Sequence, residues 1–166
     1  MSEYRLAAEG LHGRTGHAAG RLLLERLYRE ETGKAMPEIL IAKGGKPYFA
    51  NASLHFSISH TKAHAFCALS DRPIGIDAEE KDRPINLKLA EKILSDREKE
   101  RLSSASDKRT ALLKLWVLKE AAVKLTGEGL RGFSTPTDFS PDDPRIQEID
   151  GCYVAVLTDK GEHHAF

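Results

Sequence analysis

Hydrophobic residues recur at helical spacing near the start of the chain. Between residues 14 and 32 they return every three or four positions, at Ala18, Ala19, Leu22, Leu23 and Leu27. This spacing puts them on one face and predicts an amphipathic helix. Gly33 follows, and glycine commonly ends a helix because it adopts the left-handed conformation without strain.

Short apolar runs in the middle and at the end of the chain predict β-strands. Residues 54–59 alternate apolar and polar side chains, which is typical of a strand with one polar face. Further strands are predicted at 39–42, 63–69 and 74–79, with a closing hairpin that joins 146–149 to 152–158.

A second long helix is predicted at residues 108–126, ended by Gly127. It is apolar on two sides, so we expect it to be largely buried. Glu120 and Lys124 fall in one of its apolar stripes, where a solvated ion pair is not usually placed. Shorter helices are predicted at 87–94 and at 96–102, the second capped by Ser95. The mixture indicates an α+β protein.

Composition narrows the function classes. The 166 residues are enough for one domain or two small lobes that share a core. Lys and Arg number 25 and Asp and Glu number 25, so no overall charge favours nucleic acid or a membrane surface. No apolar run approaches the roughly 20 residues of a membrane span. Cys67 and Cys152 lie in apolar runs, which indicates free, buried thiols and a cytoplasmic protein.

Three acidic residues form the candidate chemistry. Asp77 and Glu79 are two positions apart on a predicted strand, so both side chains point to one face. Glu120 is a third carboxylate on the long helix, and three converging acidic oxygens suit Mg²⁺. Lys124 and His60 could then hold phosphates. The alternatives are a solvated strand end for Asp77 and Glu79, a surface ion pair for Glu120, and a structural role for His60.

These residues lie in motifs that follow one another in a fixed order. The motifs are Gly45-Lys46-Pro47, Phe56-Ser57-Ile58-Ser59-His60, Gly75-Ile76-Asp77-Ala78-Glu79, Trp116 to Lys124 with Lys119-Glu120-Ala121 inside it, and Gly127-Glu128-Gly129-Leu130. Together they resemble the surfactin-type 4′-phosphopantetheinyl transferases. The smaller holo-acyl-carrier-protein synthases place their acidic motif first and their Ser-His element last, which is the reverse of the order here.

The resemblance implies a fold and a division of the chain. It implies the α+β fold of the 4′-phosphopantetheinyl transferases, in which two pseudo-symmetric lobes enclose the site between them. Residues 1–70 would form a shortened N-terminal lobe, and residues 71–166 a C-terminal lobe with the metal site, in one compact catalytic unit. We expect a monomer, with a dimer as the alternative.

The resemblance also implies roles for single residues. Asp77, Glu79 and Glu120 would bind Mg²⁺, with Mn²⁺ as an alternative. Glu120 and Lys124 would be catalytic, and Lys124 would contact the pyrophosphate of coenzyme A. The remaining coenzyme A residues would be Lys46, Pro47, Ser59, His60, which would hold the 3′-phosphate, and Arg14, with Arg21 as its substitute.

The implied reaction is transfer of the 4′-phosphopantetheine arm from coenzyme A to a serine of an apo-acyl or apo-peptidyl carrier protein. A non-catalytic module that binds coenzyme A or a carrier is one alternative, and another Mg²⁺-dependent phosphoryl enzyme is a second. Neither nucleic acid nor a membrane is an expected partner. Residues 88–114 carry eight basic and five acidic side chains. This local basic excess could steer an acidic carrier to the protein.

Overall fold

The computed structural model describes residues 3–50 and 53–159. Its helices are α1 (Gly16–Thr32), α2 (Ala90–Ile93), α3 (Asp96–Ser104) and α4 (Lys108–Thr126). Its strands are β1 (Arg5–Gly10), β2 (Ile39–Ile41), β3 (Pro47–Phe49), β4 (His55–His60), β5 (His64–Ser70), β6 (Ile74–Glu80), β7 (Ile146–Ile149) and β8 (Cys152–Thr158). The mixture confirms the α+β class.

The first half of the chain builds an antiparallel sheet of order β1-β5-β4 with α1 packed on one face. The hydroxyl of Thr15 accepts a hydrogen bond from the Ala18 N–H and caps α1, and Gly33 ends the helix at a φ of 70°. Leu23, Leu24 and Leu27 are buried against the sheet. The predicted amphipathic helix is therefore confirmed, and its apolar face forms the first core.

The second half builds an antiparallel sheet of order β6-β8-β7 with α4 packed against β6 and β8. A Cβ on Gly75 would lie 2.1 Å from the carbonyl oxygen of Ala121, so glycine is what lets α4 come this close to β6. In both sheets the last strand in sequence is central, and a long helix follows the first strand. This shared order agrees with two lobes, whose pseudo-symmetry stays a prediction.

The two sheets meet through β5 and β4. Because successive residues of a strand point to opposite faces, Ala65, Cys67 and Leu69 pack towards α1, whereas Phe66 and Ala68 join the core of the second sheet. On the neighbouring β4, the buried hydroxyls of Ser57 and Ser59 accept hydrogen bonds from the N–H groups of Ile76 and Ala78, both at 3.1 Å. The polar face of β4 therefore joins the sheets.

Most predicted elements are present, with instructive differences. α4 has the predicted bounds, the reciprocal cap of Ser95 and Glu98 begins α3, and the last hairpin turns at Asp150 and Gly151. The helix predicted at 87–94 is instead a 3-10 turn followed by the four residues of α2. β1 and β3 carry little strand signal of their own and form because β5 and β2 offer them backbone partners.

The lobe bounds predicted at 1–70 and 71–166 include residues 1–2, 51–52 and 160–166, which lie outside the described residues. Within the described ranges, none of the helices combines the length and the hydropathy needed to cross a bilayer.

Candidate active site

Asp77 is the most buried carboxylate of the candidate site. It lies on β6 with only 6% of its surface exposed. Its Oδ1 accepts a hydrogen bond from the Ser59 hydroxyl at 3.2 Å and from the Lys124 ammonium at 3.0 Å. Its Oδ2 is buried and has no hydrogen-bond partner in the described part of the chain. One oxygen is thus held twice, while the other is left for a further ligand.

Glu79 lies two residues further along β6 and is half-buried. The indole N–H of Trp116 donates to its Oε1 at 3.2 Å, and Arg83 forms an ion pair with the same oxygen. The Trp116 ring is stacked on Phe133, with centroids 5.6 Å apart. These contacts tie the outer carboxylate of the pair to α4 and to the turn that follows β6.

α4 brings Glu120 and Lys124 to the same region, one helical turn apart. Within the described ranges the Glu120 carboxylate accepts no hydrogen bond, whereas the Lys124 ammonium is shared between Asp77 and the carbonyl oxygen of Ile58, at 3.4 Å. The close packing of α4 on β6 places this turn of the helix beside Asp77. The electrostatic interactions among Asp77, Glu79 and Glu120 agree with the prediction that the strand and helix carboxylates lie near one another.

Burial disfavours ionisation of all three carboxyl groups, and the charge of Asp77 adds to this effect at Glu79 and Glu120. Burial raises the pKa of Asp77, and Lys124 and Ser59 partly oppose this rise. Burial and the charge of Asp77 raise the pKa of Glu79. Burial, then Asp77, raises the pKa of Glu120, with a further rise from Glu79. A site whose carboxylates are crowded in this way is stabilised by an added cation.

The residues fit a divalent cation by their chemistry. Asp77 offers a buried, unpaired oxygen and Glu120 a carboxylate without a hydrogen bond among the described residues. Within residues 3–50 and 53–159, however, no three acidic, histidine or cysteine side chains are already gathered as metal ligands. The physical reason is visible, since Lys124 and Arg83 draw Asp77 and Glu79 into ion pairs. A cation on Oδ2 would be repelled by the Lys124 ammonium on Oδ1 of the same carboxylate, and this repulsion favours release of the lysine.

His60 ends β4 and is exposed at the start of α1. A Cβ on Gly16 would lie 2.2 Å from Cγ of the His60 ring, so the glycine lets the imidazole rest against the first turn of the helix. The N–H groups of a helix start favour anions. A cavity of about 840 Å³ is lined by His60, Thr61, Lys62, Glu79 and Arg83, among others. This cavity connects the histidine with Glu79, the outer carboxylate of the pair.

Lys46 and Ser59 are both hydrogen-bonded inside the protein. The Lys46 ammonium donates to the carbonyl oxygens of Leu125 at 2.7 Å and Ile74 at 3.2 Å, and burial lowers its pKa. Its side chain therefore binds the end of α4 and the start of β6. The Ser59 hydroxyl is buried and bonded to β6. A phosphate contact from either residue stays a prediction.

Pro47 follows the turn of its motif, and Arg14 lies close to the start of the first helix, as expected. Pro47 begins β3 and lines a smaller cavity of about 280 Å³, together with Gly45, Ile58 and Lys124. Arg14 is exposed just before α1. Both positions stay predictions as coenzyme A contacts.

Two site features were missed by reasoning from the sequence. Arg83 follows the end of β6 in a turn, and no period links it to Glu79. Trp116 lies four residues before Glu120, and this helical spacing could have indicated its contact with the acidic pair. Lys119 has a structural role, because it forms a buried ion pair with Glu98 at 2.9 Å.

Comparison with known proteins shows which family the chain resembles. A model of the 4′-phosphopantetheinyl transferase superfamily matches residues 73–163, more than half of the chain. The 4′-phosphopantetheinyl transferase psf-1 of Bacillus pumilus is 35% identical over 116 residues, 67% of this chain and 49% of that protein. The 4′-phosphopantetheinyl transferase gsp of Aneurinibacillus migulanus is 32% identical over 115 residues, 67% of this chain and 48% of that protein. The chain spans about half the length of the curated relatives it matches.

Proposed function

Because the chain belongs to the 4′-phosphopantetheinyl transferase superfamily, we propose that it transfers the 4′-phosphopantetheine arm of coenzyme A to a serine of an apo-carrier protein. The acceptor would be an acyl or peptidyl carrier, and 3′,5′-ADP would be released. Enzymes of this superfamily use coenzyme A as their substrate. The observation that carries the proposal is the buried, unpaired Oδ2 of Asp77, which lies in an acidic site beside Lys124.

The acidic residues suit a cation that binds a pyrophosphate. Mg²⁺, with Mn²⁺ as the alternative, would be held by Asp77, Glu79 and Glu120. When bound, such an ion neutralises negative charge on the pyrophosphate oxygens. The raised pKa of each carboxyl supports this assignment, because a cation would stabilise the buried carboxylates and relieve the repulsion that Asp77 exerts on Glu79 and Glu120.

Glu120 and Lys124 would act on the two ends of the transfer. The serine oxygen would form a bond to the β-phosphorus of coenzyme A as the bond from that phosphorus to the leaving phosphate oxygen breaks. Glu120 would accept the serine proton as a general base. Lys124 would donate a hydrogen bond to the leaving phosphate and stabilise its charge.

The nucleotide half of coenzyme A would lie towards α1. His60 would contact the 3′-phosphate, supported by the N–H groups at the start of α1, and Arg14 would add positive charge there. Pro47 and the glycines beside it would contribute the wall of the smaller cavity. A cytoplasmic location is part of the proposal, supported by the free, buried thiols of Cys67 and Cys152.

Mass spectrometry of several apo-carriers tests the proposed reaction. Each carrier is incubated with the protein, coenzyme A and Mg²⁺, and a mass gain of one phosphopantetheine arm is expected on one serine. The gain should be lost when a chelator replaces Mg²⁺ and when Asp77→Ala replaces the native chain. Binding of coenzyme A without transfer to any carrier would favour the non-catalytic module, and cleavage of coenzyme A by water would favour a hydrolase.

A further inference from the structure

We propose that Ser59 is a positioning residue for Asp77, and that its hydroxyl holds the carboxylate so that Oδ2 is presented to the cation. The inference rests on the metal site of the proposed function and deepens it. It gives the Ser59 hydroxyl a contact inside the protein, while the expected contact between Ser59 and a phosphate stays a prediction. The hydrogen bond runs from the first sheet to the second, since Ser59 lies on β4 and Asp77 on β6.

The direction of the Ser59 hydroxyl is set by two neighbours on β6. Its oxygen accepts a hydrogen bond from the Ala78 N–H at 3.1 Å and lies 3.2 Å from Asp77 Oδ1. A serine hydroxyl has one hydrogen to donate. An N–H donor already uses a lone pair of the oxygen, so the hydrogen is directed to the carboxylate. Ser59 is only 5% exposed, and water has little access to compete.

Holding one oxygen of a carboxylate also fixes the other. The last torsion of an aspartate side chain has a broad, two-fold energy profile, so a carboxylate without partners turns readily. Ser59 and Lys124 both donate to Oδ1, and Oδ2 is the oxygen left unpaired within the described residues. The observed arrangement therefore assigns the two oxygens different tasks.

Ser59 becomes more important when the site is loaded. Lys124 would move to the phosphate in the proposed reaction and would release Oδ1. Ser59 is then the remaining side-chain donor to that oxygen among the described residues. A lysine that exchanges partners needs a second, immobile donor to keep Asp77 in place, and a short buried side chain on a strand meets that need.

The same strand also places the nucleotide-side residue. Neighbouring residues on a strand point in opposite directions, so Ser59 faces β6 while His60 faces the start of α1. The adjacent Ser and His therefore link the position of the metal carboxylate to the position of the 3′-phosphate contact. This explains why these two residue types occur side by side at the end of β4.

Ser57 offers a matched control for the test. It lies two residues earlier on β4, is 6% exposed, and accepts a hydrogen bond from the Ile76 N–H at 3.1 Å. It makes the same kind of contact between the sheets, and within the described ranges its hydroxyl makes no hydrogen bond to a carboxylate. Ser57→Ala and Ser59→Ala each remove one bond between β4 and β6, but only the second also releases Asp77.

The experiment measures the affinity of the full chain for Mn²⁺ by electron paramagnetic resonance, with coenzyme A present and no carrier. Nothing turns over under these conditions, and a titration of coenzyme A alone is subtracted. Ser57→Ala should bind Mn²⁺ like the native chain, whereas Ser59→Ala should bind about tenfold more weakly or worse, the usual effect of losing a hydrogen bond to a charged group. Asp77→Ala should lose the site.

A second pair of variants keeps the size of the side chain constant. Ser59→Thr retains the hydroxyl, and Ser59→Val replaces it with a methyl group of similar volume. The threonine variant should bind Mn²⁺ about tenfold more tightly than the valine variant. This pair keeps the test decisive if the alanine variant does not fold.

The outcomes distinguish the positioning role of Ser59 from the metal site of the proposed function. If native chain and Asp77→Ala differ but Ser59→Ala matches Ser57→Ala, the metal site stands and the positioning role of Ser59 is overturned. Equal affinity of the threonine and valine variants has the same meaning. If Asp77→Ala binds Mn²⁺ as well as the native chain does, the proposed metal site fails, and the role of Ser59 fails with it.

Discussion

The ammonium of Lys124 lies 3.0 Å from Oδ1 of Asp77, so the lysine on α4 neutralises the most buried carboxylate of the site on β6. This pair connects the two elements that carry the candidate chemistry. It also places a positive charge where a divalent cation would have to bind. We infer that the cation and Lys124 exchange, and that the exchange frees the lysine to contact a phosphate.

The first prediction concerns the three carboxylates. Asp77→Ala and Glu120→Ala should each remove nearly all transfer activity while the protein stays folded, because each loses a charged oxygen that a hard cation requires. Glu79→Ala should reduce activity less, since water can replace it and its Oε1 is already occupied by Trp116 and Arg83. The measurement is the initial rate of carrier modification at limiting Mg²⁺. Near-normal turnover of Asp77→Ala would move the metal site elsewhere.

The second prediction concerns the stability of the metal-free protein. Burial and its acidic neighbours raise the pKa of Glu120, and an acid whose pKa is higher in the folded state destabilises the fold when it is ionised. Glu120→Gln should therefore raise Tm at neutral pH in a chelator while it removes activity. The gain should shrink as the pH falls and the native carboxyl becomes protonated. Glu91→Gln, an exposed position, is the control.

The third prediction concerns the buried ion pair of Glu98 and Lys119. The two side chains are 0% and 4% exposed, so Lys119→Met leaves an uncompensated charge and should lower the free energy of unfolding by about 3–5 kcal/mol. Lys99→Met breaks the surface pair with Glu91 and should cost at most about 1 kcal/mol. Denaturant unfolding at neutral pH compares the two. Equal effects would contradict the structural role of Lys119.

The same pair predicts how acid acts on the fold. Burial alone would raise the pKa of Glu98, but hydrogen bonds from Thr137, the Phe139 N–H and Lys119 outweigh it, so the pKa lies below its ordinary value of 4.5. A carboxyl whose pKa is lower in the folded protein stabilises the fold at pH values above its pKa in the unfolded chain. This stabilisation is lost as the pH falls through the pKa of the folded state. Below about pH 4.5, the free energy of unfolding should therefore fall less steeply with pH in Glu98→Gln than in the native protein.

The fourth prediction concerns the nucleotide. If His60 contacts the 3′-phosphate, coenzyme A should bind more tightly than 3′-dephospho-coenzyme A, and His60→Ala should narrow that gap by roughly 10- to 150-fold. Gly16→Ala should do the same because its Cβ would displace the imidazole. Lys46→Ala should lower stability and leave the gap unchanged, since its ammonium binds backbone carbonyls. Calorimetry measures the affinity of each variant for both ligands. If the native protein binds coenzyme A and 3′-dephospho-coenzyme A with equal affinity, the assignment of His60 to the 3′-phosphate is wrong.

The fifth prediction concerns the carrier. Among the basic residues of 88–114, Arg97 and Arg101 are paired with Asp138 and Lys99 with Glu91. No ion pair within the described ranges includes Lys88 or Lys92, and the nearby Leu87 is exposed. Reversing the charge of Lys88 and Lys92 together should therefore lower kcat/KM for an acidic carrier, most strongly at low salt.

The control for the carrier prediction makes the same charge change elsewhere. Arg29→Glu with Lys34→Glu alters the last turn of α1 and the residues after it, away from α2 and α3. This variant should modify the carrier at the native rate. Coenzyme A affinity should be native in both double variants. Unchanged kcat/KM in the Lys88 and Lys92 variant at low salt would exclude these lysines from the docking surface.

Local signals in the sequence predicted the elements that carry the site. The glycine stop of α4, the cap of Ser95 and Glu98, and the turn at Asp150 and Gly151 are set by neighbours in sequence, and all are confirmed. The alternation of Asp77 and Glu79 on β6 is equally local. Helical and strand periods therefore sufficed to propose which acidic residues could meet.

Partner choice was decided only by the tertiary structure. The motifs suggested Ser59, Lys46 and Lys124 as phosphate contacts, and in the structure each donates to a group at least 18 positions away in sequence. Those bonds form because the sheets and α4 bring β4, β6 and the end of the helix together and exclude water, and a buried donor must then bind the nearest acceptor. The sequence by itself determined which groups the site contains, and long-range packing decided which of them bind each other.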